Sequence, residues 1–324
     1  MTAPVLPAAD PEAIERAAAV LRRGGLVAFP TETVYGLGAN AFDPRAVARV
    51  FEVKARPSFD PLIVHVHDAS ELPRVVAASG DPRVGRLAAR FWPGPLTLVL
   101  PRRAEVPDIV TSGLDTVGVR VPSHPAALAL LRAAGPVAAP SANPFGYVSP
   151  TTAAHVAERL GHAVDLVLDG GPCPVGVEST ILSLADDPPR LLRPGGVARE
   201  DLESALGHAI ALAPRGERPL APGQLDRHYS THTPLRLLEG KAADAPADAG
   251  RLGLLAFGPT DASGYAAVEV LAPDGGLATA ATNLFAALRR LDARGLDGIV
   301  AEPCPGTGLG LAILDRLRRA AARG

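Results

Sequence analysis

Two cations lie one residue apart in the segment VFEVKARPSFDPLIVHV, residues 50–66. The proline after Arg56 disfavours helical backbone at that arginine, so Lys54 and Arg56 are predicted in the last helical turn or the loop that follows. Cations at a helix C-terminus offset the helix dipole, which is one interpretation of the pair. The other is an anion site, in which Arg56 holds phosphate or carboxylate through two hydrogen bonds.

Two strand-like runs place further polar side chains opposite an apolar face. In PLIVHVH the alternation puts His65 on the face opposite Leu62 and Val64, although a single strand histidine is more often structural than a ligand. In DTVGVRVP it puts Arg120 opposite the valines. An arginine inside so apolar a strand must meet an anion, because burying an unpaired charge is costly. That anion is either a ligand or an acidic residue of the protein.

Hydroxyl, amide and guanidinium groups lie at or just after several predicted strand ends, at a strand start and, for Ser149, at a predicted helix start. These side chains are Thr33, Ser141, Asn143, Ser149, Ser179 and Arg193. Ligands of open α/β sheets bind outside the carboxyl ends of strands, so the set favours binding and orienting anions over proton transfer. Turns that satisfy their own backbone use the same residue types, and that alternative stays open.

Helix and strand signals alternate along the chain. Asp10 with Pro11, and Asp43 with Pro44, are typical of helix N-termini. Buried strand patterns such as LVAFP and LTLVL lie between helical patterns, which indicates an α/β or α+β fold without fixing the strand order. Residues 208–235, rich in Pro, Arg and His, predict a long connection, and a smaller α/β unit follows it.

Composition limits the classes of protein that remain. The 324 residues are 47% hydrophobic and 20% charged, with a net charge of −2, which is typical of a globular protein without a long nucleic-acid footprint. The two cysteines, Cys173 and Cys304, are far apart and predict neither a disulfide framework nor a zinc site. No apolar run predicts a membrane span and no secretory signal is evident, so we expect a cytoplasmic protein. The common phosphate-loop, dinucleotide-loop, HExxH and GxSxG motifs are absent.

Many segments, in this order, resemble the threonylcarbamoyl-AMP synthase family, the YrdC-type proteins in their longer form. They are PTETVYGLG, the Lys54/Arg56 pair before PLIVHV, WPGPLTLVL, TVGVRVPSHP, APSANPFGYVSPT, GVESTI and LRPG. The resemblance implies an α/β fold: a YrdC-like twisted mixed sheet with flanking helices, and a smaller Rossmann-like α/β C-terminal domain. It divides the chain into a catalytic domain (1–207), a linker that covers the site as a lid (208–235) and the C-terminal domain (236–324).

The resemblance also implies a nucleotidyltransferase reaction. L-threonine, bicarbonate and ATP would give threonylcarbamoyl-AMP and pyrophosphate, and downstream tRNA threonylcarbamoyl-transfer proteins would use the product at position 37 of tRNA. The carboxylate, the carbamate and the triphosphate repel one another. Two unit charges 4 Å apart repel by roughly 4 kcal/mol at an effective dielectric constant of about 20. Several cations, and Mg²⁺ brought with ATP, are therefore expected, although the resemblance leaves the ligands of the metal open.

By the family pattern, each predicted site residue has an expected role. Threonine and carbamate would be bound by Thr33, His65, Arg120 and Ser179, whereas Lys54 and Arg56 would be catalytic. ATP would be bound by Arg56, Asp60, Thr116, Ser141, Asn143, Ser149 and Arg193, with His228 and Tyr229 of the linker folding over it. Asp60 departs from the asparagine usual in the family; it would either support magnesium or point away from phosphate.

Two alternatives are weaker on sequence grounds. The carbamoyl-transfer module of hydrogenase-maturation proteins is similar, but those chains add zinc-finger segments, and no CxxC pair occurs here. An RNA-binding protein of YrdC type would need a basic surface, which the near-neutral charge disfavours, although local tRNA contact is compatible with it.

Overall fold

The computed structural model describes residues 2–77, 80–213, 219–245 and 250–322. Residues 214–218 of the predicted linker and residues 323–324 of the predicted closing helix lie outside the described residues.

The described residues contain strands from both predicted units. They are β1 (Val5–Pro7), β2 (Val27–Phe29), β3 (Gly36–Asn40), β4 (Ile63–His65), β5 (Leu96–Pro101), β6 (Thr116–Arg120), β7 (Val137–Ala138), β8 (Leu166–Asp169), β9 (Thr180–Ser183), β10 (Arg190–Arg193), β11 (Ala211–Leu212), β12 (Leu235–Leu237), β13 (Leu252–Ala256), β14 (Ala267–Val270) and β15 (Gly298–Ala301).

Helices alternate with many of these strands. They are α1 (Pro11–Arg22), α2 (Pro44–Lys54), α3 (Leu72–Val75), α4 (Pro82–Phe91), α5 (Asp108–Thr111), α6 (Pro125–Ala134), α7 (Ala153–Leu160), α8 (Arg199–Leu206), α9 (Leu277–Asp292) and α10 (Leu309–Ala321).

The predicted helix starts are confirmed in their capping geometry. The side chain of Asp10 accepts a hydrogen bond from the backbone N–H of Glu12, and Asp43 caps α2 in the same way through Arg45 N–H. In both helices a proline occupies the first helical position, where its missing N–H would have had no intrahelical partner. At the other end of α2, Ala55 adopts a left-handed conformation with φ of 50°, which ends the helix before Arg56.

Among the described residues, the first part of the chain forms an eleven-stranded mixed sheet in the order β1-β8-β2-β3-β7-β4-β6-β5-β9-β10-β11. Apolar side chains cover both faces. α1 and α6 pack together against one face with Leu130 and Phe29, and α2 packs against the other with Val50 and Val64. Because both faces are buried, the polar side chains at the strand ends line the edge of the sheet. The predicted mixed sheet with flanking helices is therefore confirmed.

The C-terminal part forms a separate four-stranded sheet, β12-β15-β13-β14, in which all pairs are parallel. The long helix α9 and the final helix α10 pack against each other beside it. This arrangement confirms the predicted small parallel α/β unit. Its hydrophobic cluster continues into the first part of the chain, because Tyr147 and Tyr229 pack with Phe285 of α9.

One strand is not among the strand patterns recognised in the sequence, in which the segment after Pro30 is rich in hydroxyl residues and glycine. Residues Gly36–Asn40 form β3, antiparallel to β2. The strand contains two glycines, Gly36 and Gly38, and packs closely against its neighbours. A Cβ at Gly38 would lie 2.7 Å from Val137 and 2.9 Å from Phe29. Glycine permits this close approach but weakens the strand signal in the sequence.

No helix among the described residues is both long enough and apolar enough to cross a membrane.

Gly195 offers a test of how tightly the sheet edge is packed. A Cβ there would lie 2.4 Å from the backbone of Glu178, Ser179 and Thr180, whereas one at Gly85 in α4 would have no neighbour within 4 Å. Gly195→Ala should therefore lower the free energy of unfolding by about 1–3 kcal/mol, as overpacking does. Gly85→Ala, the control, should leave it unchanged or raise it by about 0.5–1 kcal/mol. Urea denaturation measures both, and equal losses would contradict the packing described.

Candidate active site

The site is built at the carboxyl ends of two parallel strands. β4 pairs with β6 so that His65 lies in register with Arg120, and both side chains are nearly fully buried. As the alternation predicted, Val64 and Val119 point into the core on the opposite face. His65 and Arg120 thus enter the same space.

These two residues line a crevice at the edge of the large sheet. The crevice brings together many of the predicted site residues, namely Thr33, His65, Arg120, Ser141, Ser179, Arg193, His228 and Tyr229. Its free volume is only about 40 Å³, room for a few water molecules and far less than a nucleotide needs. Pro222 and Gly223 of the linker complete its wall.

Arg120 meets an acidic residue of the protein, one of the two alternatives left open by the sequence. Its Nη2 lies 2.6 Å from Oε1 of Glu32, and its Nε donates to the carbonyl of Gly94 at 3.3 Å. The other Glu32 oxygen accepts from the backbone N–H of Ser123 at 3.1 Å. Sequence analysis missed Glu32, although it stands between Thr31 and Thr33 in the PTETVYG segment and so shared their signal.

Lys54 ends α2 and is buried, with 1% of its surface exposed. Its Nζ donates to the carbonyl of Ser141 at 2.6 Å and to that of Asn143. Burial, together with the nearby Arg56 cation, lowers the pKa of Lys54 well below its ordinary value. The side chain therefore reaches the Ser141–Asn143 turn, which the helix-dipole interpretation alone does not require.

Arg56 is paired with Asp60. Their side chains lie 2.9 Å apart, and the Arg56 guanidinium also donates to the carbonyls of Asp60 and Pro61 at 3.0 and 2.9 Å. Asp60 is fully buried, and among the described residues neither of its oxygens has a donor in hydrogen-bond alignment. Burial raises the pKa of the Asp60 carboxyl, whereas Arg56 and Lys54 oppose that shift. Asp60 therefore reduces the net positive charge around Lys54 and Arg56.

The Ser141–Asn143 turn satisfies part of its own backbone, as the alternative interpretation allowed. The amide of Asn143 donates to the carbonyls of Pro144 and Tyr147 at 2.9 and 2.8 Å. Its side-chain oxygen is buried without a hydrogen-bond partner among the described residues. Ser149, further along the loop, donates through Oγ to Oε1 of Glu178 at 2.5 Å.

Arg193, at the end of β10, is held entirely by oxygen atoms without formal charge. It donates to the carbonyl of Ser179 at 2.9 Å, to Oγ of the same serine at 3.2 Å and to the carbonyl of Pro222 at 3.1 Å. Burial lowers the pKa of Arg193. Thr97 shares a hydrogen bond with Ser179 Oγ at 2.8 Å. Through Pro222, the linker thus contacts Arg193 in the wall of the crevice directly.

His228 and Tyr229 of the linker fill the space beside these cations. Burial and the nearby Arg56, Lys54 and Arg193 keep the pKa of His228 well below its ordinary value, so its imidazole is neutral. Neither His228 Nδ1 nor the hydroxyl of Tyr229 has a hydrogen-bond partner among the described residues. Tyr229 has a φ of 63°, a backbone conformation that is unfavourable for a non-glycine residue.

Thr116 is separated from this crevice. It lines a neighbouring, smaller cavity that shares only Ile63 and Pro222 with the main one. Pro222 of the linker therefore lies in the wall between Thr116 and the residues that line the crevice. The remaining predicted site residues do not line the crevice; they are Lys54, Arg56, Asp60, Asn143 and Ser149.

The cationic and neutral donors that line the crevice suit the binding of small anions. No group of three His, Cys, Asp or Glu side chains that could hold a metal ion occurs among the described residues. Asp60 is paired with Arg56 and lies near Lys54, and Glu178 is paired with Arg316, so neither carboxylate fits a protein-held magnesium site. Glu178 and Arg316, which contacts it, were missed from sequence; Arg316 is one arginine in the run DRLRRAA, which has no local signal.

Comparison with known proteins agrees with this geometry. A Sua5/YciO/YrdC family model described as "Telomere recombination" matches residues 19–195, and one described as "Threonylcarbamoyl-AMP synthase, C-terminal domain" matches residues 197–322. The fold thus defines a YrdC-type protein that is extended by a second α/β domain.

Similar proteins span nearly the whole chain. Threonylcarbamoyl-AMP synthase of Bacillus subtilis is 45% identical, over 96% of this chain and 93% of that protein. The synthase of Pyrococcus abyssi is 43% identical over 95% and 93%. The crystal structure of P. abyssi Sua5 complexed with L-threonine superposes with a TM-score of 0.89 and 41% identity, covering 96% of this chain and 95% of that one. The chain belongs to the threonylcarbamoyl-AMP synthase family and is an enzyme of nucleotidyltransferase type.

The buried imidazole of His65 should make the protein sensitive to acid. Burial, and secondarily Arg120, lowers the pKa of His65 to about 3. As pH falls below about 6.5 the unfolded chain takes up a proton at this residue and the folded protein does not, so stability is lost. Between pH 6 and 4.5, wild type should therefore lose about 2 kcal/mol more unfolding free energy than His65→Gln.

Urea denaturation at the two pH values checks this difference. His208→Gln, at an exposed position, is the matched control and should lose as much as wild type. Equal losses in His65→Gln and wild type would show that His65 is not held neutral.

Proposed function

We propose that this chain forms threonylcarbamoyl-AMP and pyrophosphate from L-threonine, bicarbonate and ATP. The observation that supports this most directly is that His65 and Arg120, which lie in register on neighbouring strands, line the same buried crevice as Ser179 and Arg193. The same fold, at 41% identity, is that of a Sua5 complexed with L-threonine. The crevice supplies cationic and neutral donors for the carboxylate and carbamate of a threonine derivative.

The proposed reaction joins two anions. Bicarbonate supplies carbon dioxide with release of hydroxide, and the threonine amine takes up the carbon dioxide as a carbamate with loss of a proton, so that the net by-product is water. A carbamate oxygen then attacks the α-phosphorus of ATP. The new P–O bond forms as the bond to the β-phosphate breaks, and pyrophosphate leaves with the electron pair. Cations held in place before the substrates bind offset the repulsion between them, with no reorganisation needed during the reaction.

The proposed roles divide the crevice into two parts. Threonine and carbamate bind to Thr33, His65, Arg120 and Ser179, and Lys54 and Arg56 are the catalytic cations. ATP binds to Arg56, Thr116, Ser141, Asn143, Ser149 and Arg193, and Asp60 tunes the charge of Arg56. Mg²⁺ arrives with the phosphates of ATP, since the described side chains form no dedicated metal site.

The linker acts as a lid in this proposal. ATP does not fit a crevice of about 40 Å³, and the linker lies between Thr116 and the rest of the ATP-binding residues. His228 and Tyr229 must therefore leave their observed positions when ATP enters, and they return over the adenylate to exclude water. We divide the chain accordingly into a catalytic domain (1–207), a linker and lid (208–235) and a C-terminal domain (236–324).

The wider setting follows from the product. In this proposal, tRNA threonylcarbamoyl-transfer proteins consume the threonylcarbamoyl-AMP. The reaction takes place in the cytoplasm, and any contact of this chain with tRNA is local.

A threonine-dependent release of pyrophosphate is the direct test. Purified protein given ATP, Mg²⁺, bicarbonate and L-threonine should release pyrophosphate, and omission of threonine or bicarbonate should abolish it, because the attacking carbamate then cannot form. Serine serves as the competing amino acid. Pyrophosphate release that does not depend on threonine and bicarbonate would rule out the proposed reaction.

Substitution of Arg56 and Arg120 tests the roles assigned to them. Arg56→Ala and Arg120→Ala should each lower kcat/KM by about 100-fold, the usual effect of removing one donor to a developing charge. Arg56→Lys and Arg120→Lys should lie between, because each keeps a charge opposite Asp60 or Glu32 but loses the planar fork.

Arg45→Ala, exposed at the start of α2, is the matched control and should retain wild-type activity. Circular dichroism confirms that each variant is folded. Wild-type rates in folded Arg56→Ala and Arg120→Ala would refute the assignment.

A further inference from the structure

An arginine of the C-terminal domain is buried against the catalytic crevice. Arg316 lies on α10 and has no exposed surface. Its Nε donates to Oε2 of Glu178 at 2.8 Å, and its Nη1 donates to Oδ2 of Asp315 at the same distance. The guanidinium carbon is 5.0 Å from the centre of the Tyr229 ring, within the range of a cation–π interaction. Arg316 thus contacts both the crevice wall and the lid.

Glu178 transmits this contact to the site. It lines the crevice immediately before Ser179 and is 6% exposed. One of its carboxylate oxygens is held by Arg316, and the other accepts the hydrogen bond of Ser149. The position of Ser149, a proposed ATP ligand, is therefore set through Glu178 by a side chain more than a hundred residues further along the chain.

Arg316 is needed to stabilise the negative charge of the buried Glu178 carboxylate. Burial alone would raise the pKa of Glu178, but Arg316, Arg193 and Ser149 together hold it below its ordinary value. Tyr229 and Asp315 also lie in this group. Without Arg316, the buried carboxylate would lose its only ion-pair partner among the described residues while facing anionic substrates. Removing one partner of a buried ion pair destabilises a protein far more than removing both partners, because it leaves a buried charge unpaired.

We propose that Arg316 is a positioning residue of the active site, by which the C-terminal domain neutralises Glu178, orients Ser149 for ATP and supports the closed position of Tyr229. This inference rests on the proposed adenylate-forming function. It assigns the C-terminal domain a part in the reaction itself, because a side chain from α10 holds Glu178 and packs on Tyr229, two residues that line the crevice. Arg316 does not line the crevice and acts only through Glu178 and Tyr229.

A charge-matched set of variants tests this role in the full-length protein. Arg316→Met should lower kcat/KM for ATP by about 100-fold, as misplacement of a binding group by about 1 Å does. Arg316→Lys, which keeps the charge, should recover at least tenfold of that loss. Glu178→Gln/Arg316→Met, which removes both charges, should also be at least tenfold more active than Arg316→Met. Arg318→Met, on the exposed side of the same helix, should match wild type.

The pH profile separates positioning from a general loss of structure. In Arg316→Met the pKa of Glu178 rises, so acidification from pH 8 to 6.5 should protonate it and increase the activity ratio of variant to wild type. The double variant lacks this carboxylate, and its ratio should stay constant. A flat ratio in a folded Arg316→Met, or a double variant no more active than Arg316→Met, overturns the proposal.

Two further outcomes are decisive. If Arg316→Met does not fold, Arg316→Lys and the double variant are compared directly with wild type; a double variant with less than one-thousandth of wild-type activity would then overturn the proposal. Threonine-dependent pyrophosphate release by wild type is measured first. Its absence refutes the proposed function, whereas wild-type activity combined with full activity of Arg316→Met refutes only the role of Arg316.

Discussion

The structure depends on burying several cations around one narrow crevice. Moving a charge out of water costs several kcal/mol unless partners replace the lost hydration. Each described cation here has such partners. Arg120, Arg56 and Arg316 are paired with carboxylates, whereas Lys54 and Arg193 are held by backbone carbonyls and a serine hydroxyl. This difference divides the site electrostatically, because a carboxylate is paired with each of the first three cations and no described carboxylate forms an ion pair with the last two.

The fold supplies those partners from distant parts of the chain. Parallel pairing of β4 and β6 aligns His65 with Arg120, and the loop after β2 brings Glu32 to the same edge. The C-terminal domain closes the remaining side, since α10 places Arg316 against Glu178 and Phe285 of α9 stacks on Tyr229 at 5.6 Å. The two sheets therefore build one site, although each has its own hydrophobic core.

Sequence alone predicted the local features well. The proline-opened helices, the faces of β4 and β6 and the clustering of hydroxyl and cationic side chains at strand ends all follow from short-range rules. It missed β3, because the glycines that allow close packing at Gly38 also weaken a strand pattern. It also missed Glu32, Glu178 and Arg316, because an ion pair that joins residues 138 positions apart leaves no periodic signal. Long-range charge pairing was the part that only the folded chain could reveal.

The division of charge favours one order of events around the lid. Phosphate oxygens must displace existing partners, and a backbone carbonyl is given up more readily than a carboxylate, whose removal would leave a buried charge. In the proposed reaction, Lys54 and Arg193 are therefore the cations best able to transfer to phosphate, and both lie close enough to His228 to lower the pKa of its imidazole. The Nδ1 atom of His228 is buried without a hydrogen-bond partner among the described residues, and Tyr229 has a left-handed backbone. Both features make the observed position of the linker less favourable. An entering triphosphate would then gain two cations whose present partners carry no formal charge, so ligand binding and displacement of the linker from Arg193 favour each other.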